Sequence, residues 1–102
     1  MPKEKHTSQS VIPILHSFAE TATLGRHLAR ALGMTLAPVT VHQFPDGETL
    51  VRVSPADTQA FLLRSLYNPN TKLIEILLAA DALRRAGARR VILIAPYLPY
   101  MR

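Results

Sequence analysis

Residues 71–95, "TKLIEILLAADALRRAGARRVILIA", decide the fold class. Their first part predicts a helix, because apolar residues recur at helical spacing. Those residues are Leu73, Ile74, Ile76, Leu77, Leu78, Ala80 and Leu83. Gly87 predicts where the helix ends, and Arg84 and Arg85 lie in the last turn, where cations favour the helix dipole. The run Val91–Ala95 is apolar without alternation, which is typical of a strand buried on both faces of a parallel sheet. A helix that leads into such a strand indicates an α/β fold.

The residues before this stretch predict a first strand and a first helix. Val11–Leu15 is a short apolar run, which predicts a strand. Thr21 is a candidate N-cap, and Gly33 marks the end of the helix. Between them, one face at helical spacing carries the apolar residues Leu24, Leu28, Ala31 and Leu32.

The middle of the chain predicts further strands and the start of the second helix. Val39–Val41 and Leu50–Val53 are short alternating runs on either side of a turn, and Ala60–Leu63 is another apolar run. Asn68 and Pro69 suit the cap and the first position of the second helix. The order strand, helix, strand pair, strand, helix, strand predicts α/β layering in a mainly parallel sheet with one hairpin.

Composition limits the classes of function. The chain has 102 residues, a net charge of +5 and no cysteine, which excludes disulfides and thiolate metal sites. Its four histidines have no metal-ligand spacing, so no metal site is predicted in the chain. No apolar run approaches the ~18 residues of a membrane span, and we expect a cytoplasmic protein. Residues 1–10 are polar and predict a flexible arm before a domain at 11–102. Arginines cluster at residues 84–90 without interleaved aromatic residues, so we expect no nucleic-acid partner.

The turn within residues 42–53, "HQFPDGETLVRV", is the first candidate site. Pro45, Asp46 and Gly47 are ordinary hairpin residues, and a turn with no further role is one interpretation. The other is that the Phe44 ring stacks on a planar group while the carboxylates of Asp46 and Glu48 accept hydrogen bonds from amino groups. A ring beside two carboxylates favours the base of a nucleotide over its phosphates.

The stretch "APYLPYMR", residues 95–102, is the second candidate site. It follows the carboxyl end of the predicted buried strand, where open α/β sheets bind ligands. A rigid loop whose tyrosines pack on a neighbouring helix is one interpretation. The other is that Arg102 contacts a phosphate.

Together these stretches resemble the ribose-phosphate pyrophosphokinase family. Phe44–Glu48 is similar to its aromatic, small residue, Asp-Gly-Glu motif, and Pro96–Arg102 is similar to its Pro-Tyr-x-x-Tyr-x-Arg motif. Between them, Leu73–Leu77 and Asp81–Ala86 resemble the family's long helix. The resemblance implies a three-layer α/β/α phosphoribosyltransferase-like domain, the N-terminal half of a two-domain subunit.

The resemblance also implies an activity. Family members transfer the diphosphate of ATP to ribose 5-phosphate with Mg²⁺, as homo-oligomers built from dimers or as hexamers. It implies ATP-binding roles for Phe44, Asp46, Gly47, Glu48 and Arg102. It places the catalytic residues, the Mg²⁺ ligands and the ribose-phosphate loop beyond residue 102, so that the chain alone is expected to be inactive.

Two other functions remain open from the sequence. One is a non-catalytic relative that binds and regulates the synthetase, and the other is an unrelated nucleotide-binding module. The broad apolar surface of the helix in residues 71–85 predicts association, either with a further domain or with another subunit.

Overall fold

The computed structural model describes residues 12–67 and 69–96, and predictions made for residues 1–11, 68 and 97–102 lie outside it. The elements in chain order are β1 (Ile14–Phe18), α1 (Ala22–Leu32), β2 (Thr35–Gln43), β3 (Thr49–Arg52), β4 (Gln59–Leu63), α2 (Pro69–Arg85) and β5 (Arg90–Ile94). A 3-10 turn, Ala19–Thr21, joins β1 to α1.

The five strands form one sheet in the order β3-β2-β1-β4-β5. β1 is parallel to both β2 and β4, and β4 is parallel to β5. Only β2 and β3 are antiparallel, with Val41 opposite Val51. The predicted mainly parallel sheet with one hairpin is confirmed. From β1 the chain first adds β2 and β3 on one side of the sheet and then β4 and β5 on the other, so the strand order reverses between β1 and β4.

The two helices cover opposite faces of the sheet. Ala29 of α1 packs with Leu15 and Leu63 on one face. On the other face, Ile76 and Leu83 of α2 belong to a core cluster whose strand members include Phe18, Val39, Ala60 and Leu62. Burial of both faces confirms the predicted three-layer architecture.

The buried face of α1 differs from the prediction. Gly25 and Ala29 are its buried residues, whereas Leu24 and Leu32 are exposed. A Cβ atom at Gly25 would lie 3.1 Å from Leu36 Cδ1 and 3.2 Å from Ser17 Oγ. The helix therefore approaches the sheet through its smallest residues. Leu28 is partly buried against the core, whereas Leu24 and Leu32 point outward.

The apolar surface of α2 is only partly buried. Ile76 and Leu83 are in the core as predicted, together with Ala79, but Leu77 is 70% exposed and Ile74 is 61% exposed. Leu77, one of the apolar residues at helical spacing, is therefore not part of the core. The sheet covers one side of this helix, and the excess apolar surface faces outward.

The ends of both helices and the start of α2 follow the predicted signals. Gly33 has the left-handed φ of 69° that ends α1, and Gly87 follows α2 with a φ of 124°. Thr21 occupies the predicted cap position of α1, but its side chain makes no capping hydrogen bond. Its hydroxyl donates to the carbonyl oxygens of Phe18 and Leu63 instead. The first strand begins at Ile14, later than predicted.

The strand predicted to be the most deeply buried lies at an edge of the described sheet. β5 pairs with β4 and follows it in the strand order, and Leu93 is exposed. Its continuous apolar sequence is typical of a central strand, which has a strand on each side and is covered on both faces. Within residues 12–67 and 69–96, one side of β5 has no neighbouring strand.

His16 is an unusual member of the core. It lies in the middle of β1 between Ala37 and Leu62 on the neighbouring strands, and it is fully buried. Neither ring nitrogen has a hydrogen-bond partner among the described residues. Burial lowers the pKa of His16 from its ordinary value of 6.5, and the negative charge of Asp57 offsets this only in part.

We expect His16 to make the stability of the domain depend on pH. The unfolded chain binds a proton near the ordinary pKa, whereas the folded chain binds one only at lower pH. The contribution of neutral His16 to the free energy of unfolding is therefore fully present above pH 6.5. It is lost as the pH falls toward the lowered pKa of the folded state. Urea unfolding at several pH values tests this, with His16→Leu as the comparison. The free energy of unfolding of the wild type is expected to fall more steeply below pH 6.5. Parallel pH profiles for the two proteins would contradict the assignment.

Candidate functional site

The hairpin of β2 and β3 extends past the end of β1. The pairing of β1 with β2 stops at Phe18 opposite Val39, but β2 continues to Gln43 and is paired there with β3 alone. All residues of the connecting segment, 44–48, are exposed. The sheet thus presents this segment at the tip of a projecting hairpin.

Local hydrogen bonds fix the shape of the tip. The Phe44 amide donates to the Glu48 carbonyl at 2.8 Å, and the Gly47 amide donates to the Phe44 carbonyl at 2.9 Å. Asp46 Oδ1 accepts a hydrogen bond from the Glu48 amide at 3.1 Å. Gly47 has a φ of 92°, which other residues rarely adopt. The predicted turn is confirmed, and Asp46 uses one carboxylate oxygen to hold it.

The Phe44 ring is supported on one side and accessible on the other. His42 lies 4.4 Å away between ring centroids, with the ring planes inclined by 73°. The Phe44 side chain remains 41% exposed. A large apolar ring exposed at a loop tip is available for stacking, and its histidine neighbour restricts its orientation.

The structure therefore brings four of the five predicted site residues together. Phe44, Asp46, Gly47 and Glu48 share one turn, and the Glu48 carboxylate makes no hydrogen bond to a described residue. Gly47 contributes conformation, since it has no side chain. Arg102 lies outside the described residues.

A cleft of about 860 Å³ lies beside the base of the hairpin. It is bordered by the carboxyl end of β1, the first residue of α1 and the outer part of β2. Its residues include Thr40, Val41 and Gln43 of β2, and Arg26 of α1. Glu20, Arg64 and Glu75 also line it.

Arg64 connects the layers of the domain beside this cleft. It follows β4 directly and is buried, with its guanidinium 3.9 Å from the centre of the Phe18 ring. Nε donates to Glu20 Oε2 at 2.5 Å, and Nη1 donates to Glu75 Oε1 at 2.8 Å. Lys72 adds a long contact, 3.9 Å from its Nζ to Glu20 Oε2. Arg64 therefore joins the turn before α1 to α2 on the opposite face.

The electrostatics of the cluster favour the ionised form of Glu20. Burial acts to raise the pKa of Glu20, but the hydrogen bond from Arg64 and the charges of Arg64 and Lys72 outweigh it. The pKa of Glu20 therefore lies below its ordinary value.

The sequence interpretation missed this cluster, although two signals for it were present. Arg64 directly follows a buried apolar strand, at the edge where α/β sheets place polar functional residues. Glu75 lies one helical turn before the buried Ala79, on the core side of α2. A carboxylate on the buried face of a helix requires a cationic or hydrogen-bonding partner.

Within residues 12–67 and 69–96, no group of three or more His, Cys, Asp or Glu residues is placed to hold a metal ion. No helix there has the length and hydropathy needed to cross a membrane.

Comparison with known proteins identifies the family. A family model described as the N-terminal domain of ribose phosphate pyrophosphokinase matches residues 14–102. The chain belongs to this family. The match begins with β1 and covers every strand and helix of the domain.

Curated relatives agree with the family. The chain is 41% identical over 91 residues to the ribose-phosphate pyrophosphokinase of Methanopyrus kandleri, covering 87% of this chain and 31% of the relative. It is 36% identical to ribose-phosphate pyrophosphokinase 1 of Streptococcus mutans, covering 86% of this chain and 28% of the relative. The chain therefore spans less than a third of the length of these relatives.

Proposed function

We propose that the chain is the N-terminal part of a ribose-phosphate diphosphokinase and supplies the adenine-binding loop of its ATP site. In the proposed reaction the full-length protein transfers the diphosphate of ATP to ribose 5-phosphate, in the cytoplasm. The observation that carries the proposal is the tip of the hairpin, where an exposed aromatic ring and two carboxylates lie within five residues.

Each side chain of the tip has a defined role in this proposal. Phe44 stacks on the adenine, and stacking of a base on an aromatic side chain contributes roughly 1–3 kcal/mol. Glu48 accepts a hydrogen bond from the amino group of the base, because its carboxylate is not used within the turn. Asp46 has its second oxygen left for the base, since Oδ1 holds the Glu48 amide. Gly47 permits the backbone conformation that directs these groups outward.

The remaining parts of the site are proposed to come from outside the described residues. Arg102 is the candidate contact for the phosphates of ATP. Mg²⁺ would neutralise charge on the transferred phosphates, with ligands beyond residue 102. The hairpin extends past the end of β1, so we place the bound adenine against a second subunit of a homo-oligomer. The exposed apolar residues Ile74 and Leu77 support such association.

An enzyme assay tests the proposed activity. The full-length protein, supplied with Mg²⁺, ATP and ribose 5-phosphate, is expected to form AMP and phosphoribosyl pyrophosphate. The 102-residue chain alone is expected to form neither, because in this proposal the residues that hold the metal and the ribose phosphate lie beyond residue 102. AMP formation that is independent of ribose 5-phosphate, or a full-length protein that forms no AMP, would contradict the proposal.

A further inference from the structure

The cleft beside the hairpin occupies the position where open α/β sheets bind ligands. The strand order changes direction between β1 and β4, and ligands of such sheets bind at the carboxyl ends of the strands at that point. In this domain the position holds the buried guanidinium of Arg64, which follows β4. A charged group placed there requires anionic partners, and the domain supplies them from its own chain.

The two carboxylates that bind Arg64 are not equivalent. The side chain of Glu75 is 8% exposed and belongs to the middle of α2, so it is fixed by the packing of that helix. The side chain of Glu20 is 39% exposed and belongs to the short 3-10 turn before α1. Rotation of Glu20 into solvent would free the Nε donor of Arg64 and leave the pair with Glu75 intact.

We propose that the cleft is an anion-binding site that Glu20 closes, and that a phosphomonoester dianion opens it by replacing the Glu20 carboxylate at Arg64. A phosphate group suits this exchange, because a guanidinium binds phosphate and carboxylate oxygens with the same planar arrangement of donors. The Nη2 group of Arg64 has no hydrogen bond to a described residue and adds a further donor.

The charges around the cleft agree with a dianion. Arg26, Arg64 and Lys72 are cationic, and Glu20 and Glu75 oppose them, so the formal charge of this group is +1. When Glu20 turns into solvent, the remaining groups carry a charge of +2, which a phosphate dianion neutralises. The amino end of α1 also borders the cleft, and its partial positive charge acts in the same direction.

The size of the cleft favours a phosphomonoester over free phosphate. Its volume of about 860 Å³ is far larger than a phosphate group needs. Its lining also includes the apolar residues Val39 and Val41 and the polar residues Thr40 and Gln43. A small organic group attached to the phosphate would contact these residues.

Binding measurements on the chain with two substitutions of equal charge test the proposal. Glu20→Gln removes the competing carboxylate at the cleft. Asp81→Asn is the matched control. It also removes one negative charge, but from an exposed carboxylate of α2 that pairs with Arg85 and does not line the cleft. The probes are inorganic phosphate and glycerol 3-phosphate, titrated by calorimetry and by the amide resonances of Glu20 and Arg64 in NMR spectra.

Glu20→Gln is expected to bind glycerol 3-phosphate about ten-fold more tightly than the wild type, because the closed state no longer competes. Asp81→Asn is expected to bind it with wild-type affinity. On binding, the amide resonances of Glu20 and Arg64 are expected to shift. Inorganic phosphate is expected to bind more weakly than glycerol 3-phosphate. Arg64→Lys keeps the charge but loses the planar donors, and it is expected to weaken binding in a folded protein.

Several results would overturn the proposal. One is equal affinity of the wild type and Glu20→Gln, and another is an equal gain in Asp81→Asn, which would show a general charge effect. Binding that does not move the Glu20 and Arg64 resonances would also overturn it. If inorganic phosphate binds as tightly as glycerol 3-phosphate, the phosphomonoester assignment is wrong.

Discussion

Replacement of Arg64 with methionine is expected to lower the free energy of unfolding by about 3–5 kcal/mol. Arg64 is the cation that neutralises Glu75, whose side chain is only 8% exposed. Removal of one partner of a buried ion pair leaves the other charge in the interior without compensation. The effect is larger than a surface ion pair could give, because exposed pairs contribute only ~0–1 kcal/mol.

A second substitution shows how much of the lost stability comes from the uncompensated charge of Glu75 and how much from the lost packing of Arg64. In Arg64→Met with Glu75→Leu, no buried carboxylate remains, and we expect most of the lost stability to return. Glu20→Gln alone is expected to cost ~1 kcal/mol or less, because Glu20 is partly exposed. Urea denaturation of the four proteins measures these differences. If Arg64→Met costs less than Glu20→Gln, or if the double variant is no more stable than Arg64→Met, the ion pair does not hold the layers together as described.

Replacement of Phe44 with alanine is expected to weaken ATP binding by roughly 1–3 kcal/mol, the range found for loss of one base-stacking aromatic. This corresponds to a loss of affinity of about 5-fold to 150-fold. The physical reason is the exposed ring at the hairpin tip, which has no role in the core of the domain. The affinity of the full-length protein for ATP is to be measured by calorimetry without ribose 5-phosphate.

Two control variants make the Phe44 measurement specific. Phe44→Trp keeps a stacking surface and is expected to retain ATP affinity. Leu50→Ala removes an exposed apolar side chain from the same hairpin, opposite His42, and is expected to leave ATP binding unchanged. An ATP affinity that is unchanged in Phe44→Ala, or that is lost equally in Leu50→Ala, would exclude stacking by Phe44.

The fold could be predicted from the sequence where the signals were local. The end of α1 at Gly33 and the run that forms β4 follow from residues next to one another in the chain. The buried face of α1 could not be predicted in this way. Leucines at helical spacing indicate a buried face, but close approach to Ser17 and Leu36 selected Gly25 instead. The edge position of β5 in the described sheet could not be predicted either, because its apolar residues are typical of a central strand.

In the candidate site, too, the part formed by neighbouring residues was predicted and the part formed by distant residues was missed. The turn at residues 44–48 was predicted because its residues are adjacent and each has a conformational preference. The Arg64 cluster was missed because Glu20, Arg64 and Glu75 are brought together only by the parallel pairing of β1 with β4 and the packing of α2. His42 was missed as a neighbour of Phe44 although it lies only two residues away. Residues two apart in an extended strand project from the same side, so this contact was predictable.

Discrimination between ATP and GTP by the full-length protein tests the proposed adenine loop most directly. The amino group of adenine donates a hydrogen bond to a carboxylate, whereas guanine presents an oxygen acceptor at the same position. We therefore expect ATP to bind at least about ten-fold more tightly than GTP, a difference of ~1.4 kcal/mol. We expect Glu48→Gln to reduce that preference while Asp81→Asn does not. Equal affinities for ATP and GTP, or a preference that Glu48→Gln leaves intact, would contradict adenine recognition by this loop.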